Sequence, residues 1–345
     1  MKRTVHGLII SMILFWFSSV GFAAGVPGAT DKVSAATLLV PFFEVGVDST
    51  THPIDTLLVL WATWGGARFH YHVWDVDGNA VNLYGNQNLL DTESWSISVR
   101  ALIGSASTAV KNALKDSTDN YYRGFITIDV VTADTTLSPV ESGYPLGTDN
   151  HLEGWIYYVR LSEGSSNSMA MVPIEEVGTG THSYLNGFYK GADGREEIDV
   201  NARACAGALA RGETCSDQGD LHSIRSRVFL DETTFNASTR IIVFYWRPGT
   251  TGGISPYCDT GGCDPTYTYN RYNESGTRLQ HTSFRLDHVV NVIDVTGTEN
   301  GFVSMRGIAG GNKDWQVYGF SITNAHPSSG TTANWDAILE SYINP

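Results

Sequence analysis

The densest pattern of apolar positions lies in residues 55–81 and predicts consecutive β-strands. Residues 57–64 are rich in branched, leucine and tryptophan side chains, and residues 68–75 alternate between polar and apolar types. Such runs fit a pleated, half-buried sheet surface. Gly65-Gly66 marks a turn between the two runs, and Asp77-Gly78 marks a hairpin because glycine accepts a positive φ. The stretch therefore predicts an all-β scaffold.

Strand patterns recur along the rest of the chain at short intervals bounded by turn residues. They cover residues 35–45, 80–84, 93–100, 121–131, 151–161, 168–177, 184–189, 224–230, 240–247, 278–286, 288–295, 301–305 and 315–323. Helix candidates are confined to residues 105–115, 196–210 and 335–342. This order predicts an all-β, antiparallel β-sandwich architecture with two or three short helices.

A soft boundary in the pattern lies near residues 178–181, where strand signals give way to small and polar residues. The sheets then form either one interlocked sandwich or two packed sandwiches. In the second arrangement an N-terminal sandwich covers residues 24–180 and a C-terminal sandwich covers residues 181–345.

The N-terminus has the three parts of a secretory signal peptide. Lys2 and Arg3 supply positive charge, residues 7–20 are apolar, and residues 21–23 place small side chains before a cleavage site. We expect residues 1–23 to be removed on export, which predicts a secreted, periplasmic or cell-surface protein.

The charge balance excludes some classes of partner. The chain carries 36 Asp and Glu against 22 Lys and Arg, a formal net charge of −14 at pH 7. A surface this acidic repels nucleic acid and anionic membranes. We therefore expect no nucleic-acid partner and, once the signal peptide is removed, no integral membrane span.

Four cysteines, all in the C-terminal half, indicate disulfides because an exported chain meets oxidising surroundings. We favour Cys205–Cys215 and Cys258–Cys263, since each pair closes a short loop rich in glycine and polar residues. The other two connectivities remain open. A four-cysteine metal site is the rival interpretation, although neither spacing is that of a CxxC pair.

His70 and His72 are the first candidates for chemistry, because residues two apart on a strand share a face. Two neutral imidazoles in this arrangement are suitable ligands for zinc or copper. The third ligand would come from elsewhere, for example from His151, His281 or His288. The alternative is a polar strand face that packs its imidazoles against Trp74.

The turn that follows these histidines resembles a calcium loop, because Asp75, Asp77 and Asn79 alternate around Gly78. The full EF-hand pattern fails, since Asn86 stands where a glutamate is required. The alternative is a hairpin turn whose carboxylates face water. The sequence thus predicts either no cofactor, or calcium or a transition metal at His70, His72, Asp75 and Asp77.

Sequence motifs of the common enzyme classes are absent: there is no G-x-S-x-G, HExxH, P-loop or dinucleotide fingerprint. Acidic pairs occur at Glu175-Glu176, Glu196-Glu197 and Asp231-Glu232. Adjacent residues on a strand point to opposite faces, so these are not the facing carboxylates that a glycosidase needs. We therefore predict no catalytic residue.

The last candidate is a cluster of tyrosines with an arginine in a Gly-, Pro- and Cys-rich excursion over residues 248–273. These side chains combine apolar area with a polar tip and suit contact with sugar or protein. The alternative is a stapled loop that packs on itself. The predicted ligand-binding residues are Tyr257, Tyr267, Tyr269, Arg271 and Tyr272.

The order LLVPFFEV, LLVLWAT, FHYHVWDVDGNAV, ESWSISV, YYRGFITI, LEGWIYYV, RIIVFYW resembles a broad class of exported bacterial β-sandwich proteins of uncharacterised function. The resemblance brings no catalytic motif with it. We predict an exported, non-enzymatic protein that binds an extracellular protein or glycan, in a surface, adhesion or ligand-binding role. The alternatives are a secreted glycan-acting hydrolase and a subunit of an extracellular polymer, joined by strand addition through residues 35–45.

Overall fold

A computed structural model describes residues 34–48, 53–116, 119–141, 143–160, 165–174, 223–230, 236–246, 266–307, 316–325, 335–340 and 342–344. The predicted signal peptide, the four cysteines, Tyr257, the three acidic pairs and the elements predicted at residues 184–189 and 196–210 lie outside these residues.

The described residues form eighteen strands and two short helices, which confirms the predicted all-β class. In chain order they are β1 (Thr37–Val45), β2 (Ile54–Ala62), β3 (Ala67–Trp74), β4 (Ala80–Leu89), β5 (Ser94–Ser98), α1 (Val99–Ser105), α2 (Thr108–Leu114), β6 (Tyr122–Val130), β7 (Leu152–Arg160), β8 (Ser165–Ala170), β9 (Val172–Ile174), β10 (Ser223–Val228), β11 (Ser238–Trp246), β12 (Thr266–Asn273), β13 (Arg278–Arg285), β14 (Val290–Val295), β15 (Gly301–Gly307), β16 (Gln316–Ala325), β17 (Trp335–Glu340) and β18 (Tyr342–Asn344).

The strands pair into four antiparallel sheets, as a sandwich architecture requires. Sheet A has the order β4-β3-β6-β1-β9, and sheet B has the order β5-β2-β7-β8. Sheet C has the order β14-β11-β16-β17, and sheet D has the order β13-β12-β15-β10-β18. Sheets A and B thus come from the N-terminal half of the chain, and sheets C and D from the C-terminal half.

Sheets A and B pack face to face through aromatic side chains. Trp95 of β5 lies 5.4 Å from Phe69 and 5.5 Å from Tyr71 of β3, measured between ring centroids. The consecutive strands β2 and β3 therefore belong to opposite sheets, and Gly65-Gly66, at φ values of 82° and 75°, carries the chain from one sheet to the other. The hairpin predicted at Asp77-Gly78 joins β3 to β4 as expected.

Sheet C is buried on both faces, which explains why the sequence of its strand β11 is a continuous apolar run. Ile242 and Phe244 on one face join the core of the N-terminal half. Ile241, Val243 and Tyr245 on the other face pack in the core between sheets C and D. The two halves therefore share a hydrophobic core, while the boundary predicted at residues 178–181 lies outside the described residues.

A buried ionic cluster also joins the halves. Both guanidinium Nη atoms of Arg240, on β11, donate to the carboxylate of Glu44, on β1, at 2.8 and 3.0 Å. Arg123 Nε of β6 donates to the same carboxylate at 2.8 Å. Burial alone would raise the pKa of Glu44, but Arg240 and then Arg123 outweigh it and lower that pKa to about 2. The carboxylate is therefore ionised at neutral pH.

Two expectations about local structure need correction or refinement. The helix predicted at residues 105–115 forms as α2 and is capped by Ser107. The strand predicted over residues 93–100 ends at Ser98, where helix α1 begins. The closing helix predicted at residues 335–342 is wrong: this segment forms β17 and β18, because β17 pairs with β16 along its whole length. No helix within the described residues is long and apolar enough to cross a membrane.

Candidate functional site

His70 and His72 share one face of β3, as their spacing predicted, and this face points away from sheet B. They are 0% and 3% exposed. The His72 ring is stacked on Tyr84 of β4, with centroids 5.9 Å apart and ring planes 5° apart, and lies 5.1 Å from Trp74. The His70 ring meets Tyr144 edge-on at 5.6 Å. The pair is thus enclosed by aromatic side chains, as the packing alternative expected.

Three of the four imidazole nitrogens of this pair have no hydrogen-bond partner. His70 Nδ1 contacts Asn86 Oδ1 at 3.1 Å, whereas His70 Nε2 and both nitrogens of His72 are buried and unpaired. Most buried polar side-chain atoms in proteins have a partner, so this arrangement is unusual. Burial, and then the neighbouring His70, lowers the pKa of His72 to about 3, and burial also lowers the pKa of His70. His72 is therefore neutral at pH 7.

The histidine pair has no third metal ligand in the described part of the chain, because no three His, Cys, Asp or Glu side chains there are close enough to hold a metal ion. Of the three histidines suggested as a third ligand, His151 contacts the carbonyl oxygen of Gly66 and His288 contacts Asp77. The third, His281, contacts Asn270 on the neighbouring strand. Because zinc sites need at least three protein ligands, the metal hypothesis gains no support from this geometry.

The calcium-like turn uses its carboxylates to hold its own backbone. Asp75 Oδ1 accepts hydrogen bonds from the backbone N–H groups of Asp77 and Asn79, at 2.9 and 2.8 Å. Asp75 is buried and does not face water, and Asp77 contacts His288 of the C-terminal half. The Val290 N–H donates to the Val76 carbonyl at 3.0 Å. The turn therefore docks the hairpin onto the C-terminal half.

The predicted tyrosine cluster is placed differently from the expectation. Residues 266–273 form strand β12 rather than a loop. Tyr267, Tyr269 and Arg271 point into the core between sheets C and D, where they are 1%, 4% and 8% exposed. Tyr272 lies on the opposite side of the strand, where its ring is stacked on Phe302 with centroids 4.8 Å apart.

The side of sheet D that carries Tyr272 faces away from the core and forms a surface that the sequence did not reveal. Two rows of paired residues cross it. One row is His281, Asn270, Ser304, Arg225, and the next is Arg278, Tyr272, Phe302, Arg227. With Thr268, Ser283 and Arg306 at one end, these residues are named here the outer face of sheet D.

The outer face of sheet D is basic, although the chain as a whole has a net charge of −14. It carries Arg225, Arg227, Arg278 and Arg306, and none of its named residues is acidic. Arg227 Nη2 forms an ion pair with Glu274 Oε2, in the adjoining turn, at 2.9 Å, and both side chains are about half exposed. Exposed arginines, amides, hydroxyls and a stacked aromatic pair suit the binding of an anionic or polar ligand.

Comparisons with known proteins add little to this description. The chain matches no protein-family profile, and no curated protein matches it in sequence. A lectin from Pleurotus ostreatus, solved in complex with GalNAc, is 8% identical; the match covers 92% of this chain and 80% of the lectin, at a TM-score of 0.20.

Two further solved structures match in the same way. A β-glucuronidase from Parabacteroides merdae is 7% identical over 86% of this chain and 26% of the enzyme, at a TM-score of 0.14. The CupB6 tip adhesin from Pseudomonas aeruginosa is 8% identical over 84% of this chain and 95% of the adhesin, at a TM-score of 0.13. TM-scores this low carry no argument about fold or function.

Proposed function

We propose that this protein is an exported, non-enzymatic binding protein that holds a glycan on the outer face of sheet D. The observation that supports this most directly is the row Arg278, Tyr272, Phe302, Arg227, in which two stacked, partly exposed aromatic rings lie between arginines. The stacked pair presents an apolar strip against which a sugar can pack, and the flanking polar groups fix its orientation.

The buried carboxylates of the N-terminal half favour binding over glycan hydrolysis. A glycosidase uses two facing carboxyl groups, one of them with a raised pKa. Glu44 is instead held ionised by arginines, and Asp55 accepts hydrogen bonds from Ser98 Oγ and the Arg100 N–H. Asp129 accepts hydrogen bonds from the Thr37 and Tyr144 hydroxyls. Burial raises the pKa of Asp75, but its carboxylate accepts hydrogen bonds from the backbone N–H groups of Asp77 and Asn79. Each of these four carboxylates thus serves local structure.

The environment of β1 gives little support to the strand-addition alternative. All nine residues of β1 are buried, and the strand lies inside sheet A between β6 and β9. A donated strand would have to displace a strand at the centre of the fold, whereas strand addition normally uses an exposed sheet edge.

A glycan array probed with the fluorescently labelled mature chain tests the proposal. We expect retention on a defined subset of glycans, and we expect Tyr272→Ala to reduce that retention by on the order of tenfold, because the stacked pair loses half of its area. Trp64→Ala is the matched control, since Trp64 is 71% exposed and lies in the turn between β2 and β3.

Each outcome of the array decides something. Binding that Tyr272→Ala weakens and Trp64→Ala leaves intact supports the outer face of sheet D as the site. Binding that is lost only in Trp64→Ala would move the site to the N-terminal half and refute the assignment. No retention on any glycan by a folded chain, as judged from its thermal unfolding curve, would refute the function itself.

A further inference from the structure

We infer that the ligand of the outer face of sheet D is an acidic polysaccharide, with sulfate or carboxylate groups repeated along the chain. This inference rests on the proposed glycan-binding function and specifies its ligand. It starts from the contrast between a strongly acidic protein and one sheet face on which every charged residue named above is basic.

The arginines are spaced for a ligand with several charges. Arg225 and Arg227 alternate on β10, so their Cα atoms lie about 7 Å apart along the strand. Arg227 and Arg278 end a row that crosses β10, β15, β12 and β13, a distance of about 14 Å at the usual strand spacing. A single small anion cannot reach both ends of that row, whereas an extended oligosaccharide can.

Arg225, Arg227 and Arg278 are also available for a ligand. Neither Arg225 nor Arg278 takes part in an ion pair within the described part of the chain. Arg227 is paired with Glu274, but both side chains are about half exposed, and ion pairs of this kind contribute only about 0–1 kcal/mol. A sulfate or carboxylate can therefore replace Glu274 as the partner of Arg227 at little cost.

The centre of the same row selects a sugar over other polyanions. Tyr272 and Phe302 lie between the two terminal arginines and are stacked with ring planes 12° apart. Their partly exposed surface suits the apolar C–H face of a sugar ring. Duplex DNA presents phosphates along its outside and keeps its bases stacked within the helix, so it offers these rings no comparable apolar face.

Binding of the mature full-length chain to four immobilised polymers tests the inference: dextran sulfate, polygalacturonate, unmodified dextran and duplex DNA. We expect the protein to bind a sulfated or carboxylated polymer at least tenfold more tightly than dextran, and to release it as NaCl is raised from about 50 to about 500 mM, because salt screens exposed charges.

Three variants locate the interaction. Arg227→Gln with Arg278→Gln should weaken binding to the acidic polymer by tenfold or more. Arg68→Gln with Lys115→Gln, which removes two exposed positive charges from the N-terminal half, should change it less than twofold. Glu274→Gln should tighten binding, because it removes the carboxylate that competes for Arg227.

The possible results separate this inference from the proposed function. Equal binding to dextran and the acidic polymers, unchanged in the double arginine variant, would refute an acidic ligand and leave a glycan-binding protein. Binding to DNA as tight as to dextran sulfate would refute selection of a sugar. Failure to bind any of the polymers or any arrayed glycan would refute both proposals.

Discussion

Acidification should destabilise this fold through His72, because the folded protein holds that imidazole neutral. The ring is 3% exposed, and both of its nitrogens lack a partner. Protonation would place a positive charge between Tyr84 and Trp74, next to His70. The charge of Asp129 favours protonation of His70, but this carboxylate already accepts hydrogen bonds from the hydroxyls of Thr37 and Tyr144.

The size of the effect follows from the two pKa values of His72, 6.5 as the ordinary value and about 3 in the folded protein. The unfolded chain binds the proton first, so stability is lost as pH falls below about 6.5. Linkage gives a loss of about 2 kcal/mol at pH ~5 and about 3 kcal/mol at pH ~4, relative to pH ~7.5. His70, whose pKa is also lowered, adds to this loss.

Urea unfolding of the mature chain, repeated between pH ~4 and ~7.5, measures this loss as a change in the free energy of unfolding. His72→Phe keeps a ring beside Tyr84 but removes the titrating group. We expect this variant to be at least as stable as the natural chain at pH ~7.5, because it removes two unpaired buried nitrogens. It should also lose about 2 kcal/mol less than the natural chain at pH ~5.

His281→Gln on β13 serves as the control, because His281 is exposed and the replacement of an exposed side chain should change stability by no more than about 0.5 kcal/mol. The reasoning fails if His72→Phe keeps the full acid sensitivity of the natural chain. It also fails if His72→Phe is several kcal/mol less stable at neutral pH, because such a loss would mean that the imidazole of the natural chain makes a polar contact.

Two further predictions concern the stability of the fold. Glu44→Gln leaves Arg240 buried without the carboxylate to which both of its Nη atoms donate, whereas Arg123 keeps its pairs with Asp116 and Asp119. The free energy of unfolding in urea should fall by about 3–5 kcal/mol at pH ~7, and a loss below about 1 kcal/mol would contradict the role of this cluster. Gly124→Ala should lower stability by more than about 2 kcal/mol, because a Cβ there would lie 2.0 Å from a carbonyl oxygen of β3. Gly104→Ala in helix α1 should raise stability by about 0.5–1 kcal/mol in the same assay, because the nearest atom to its Cβ would lie 3.8 Å away.

Much of the fold could be predicted from local pattern, because a strand buried on one face alternates and a strand buried on both faces is continuously apolar. The run at β11 is an example of the second kind. Strand β3 alternates in sequence but is buried on both faces, because Tyr84 and Tyr144 pack against its histidines. The pairing of strands was not predictable: β2 and β3 are neighbours in sequence but lie in opposite sheets. The sequence of the closing segment at β17 suits a helix, and only its pairing with β16 makes it a strand.

The candidate site was harder to predict, for physical reasons that differ between its parts. The shared face of His70 and His72 follows from strand geometry alone, whereas the residues around them come from distant segments. The alternation TYTYNRYN of β12 carries a strand signal, but it directly follows a Gly- and Pro-rich stretch whose composition predicts a loop. Arg227 and Arg278 are ordinary surface residues in sequence, and only the register of four strands brings them into one row.

The alternation of β11 between two cores has a consequence for any attempt to divide this protein. A fragment that ends before sheet C would present an apolar surface to water and leave Glu44 without Arg240, while the complementary fragment would expose Ile242 and Phe244. Neither fragment should remain soluble as a monomer. To place the outer face of sheet D in a fusion protein would therefore require the whole chain. Recombination between related sequences should give a folded protein only where β1 and β11 come from the same parent.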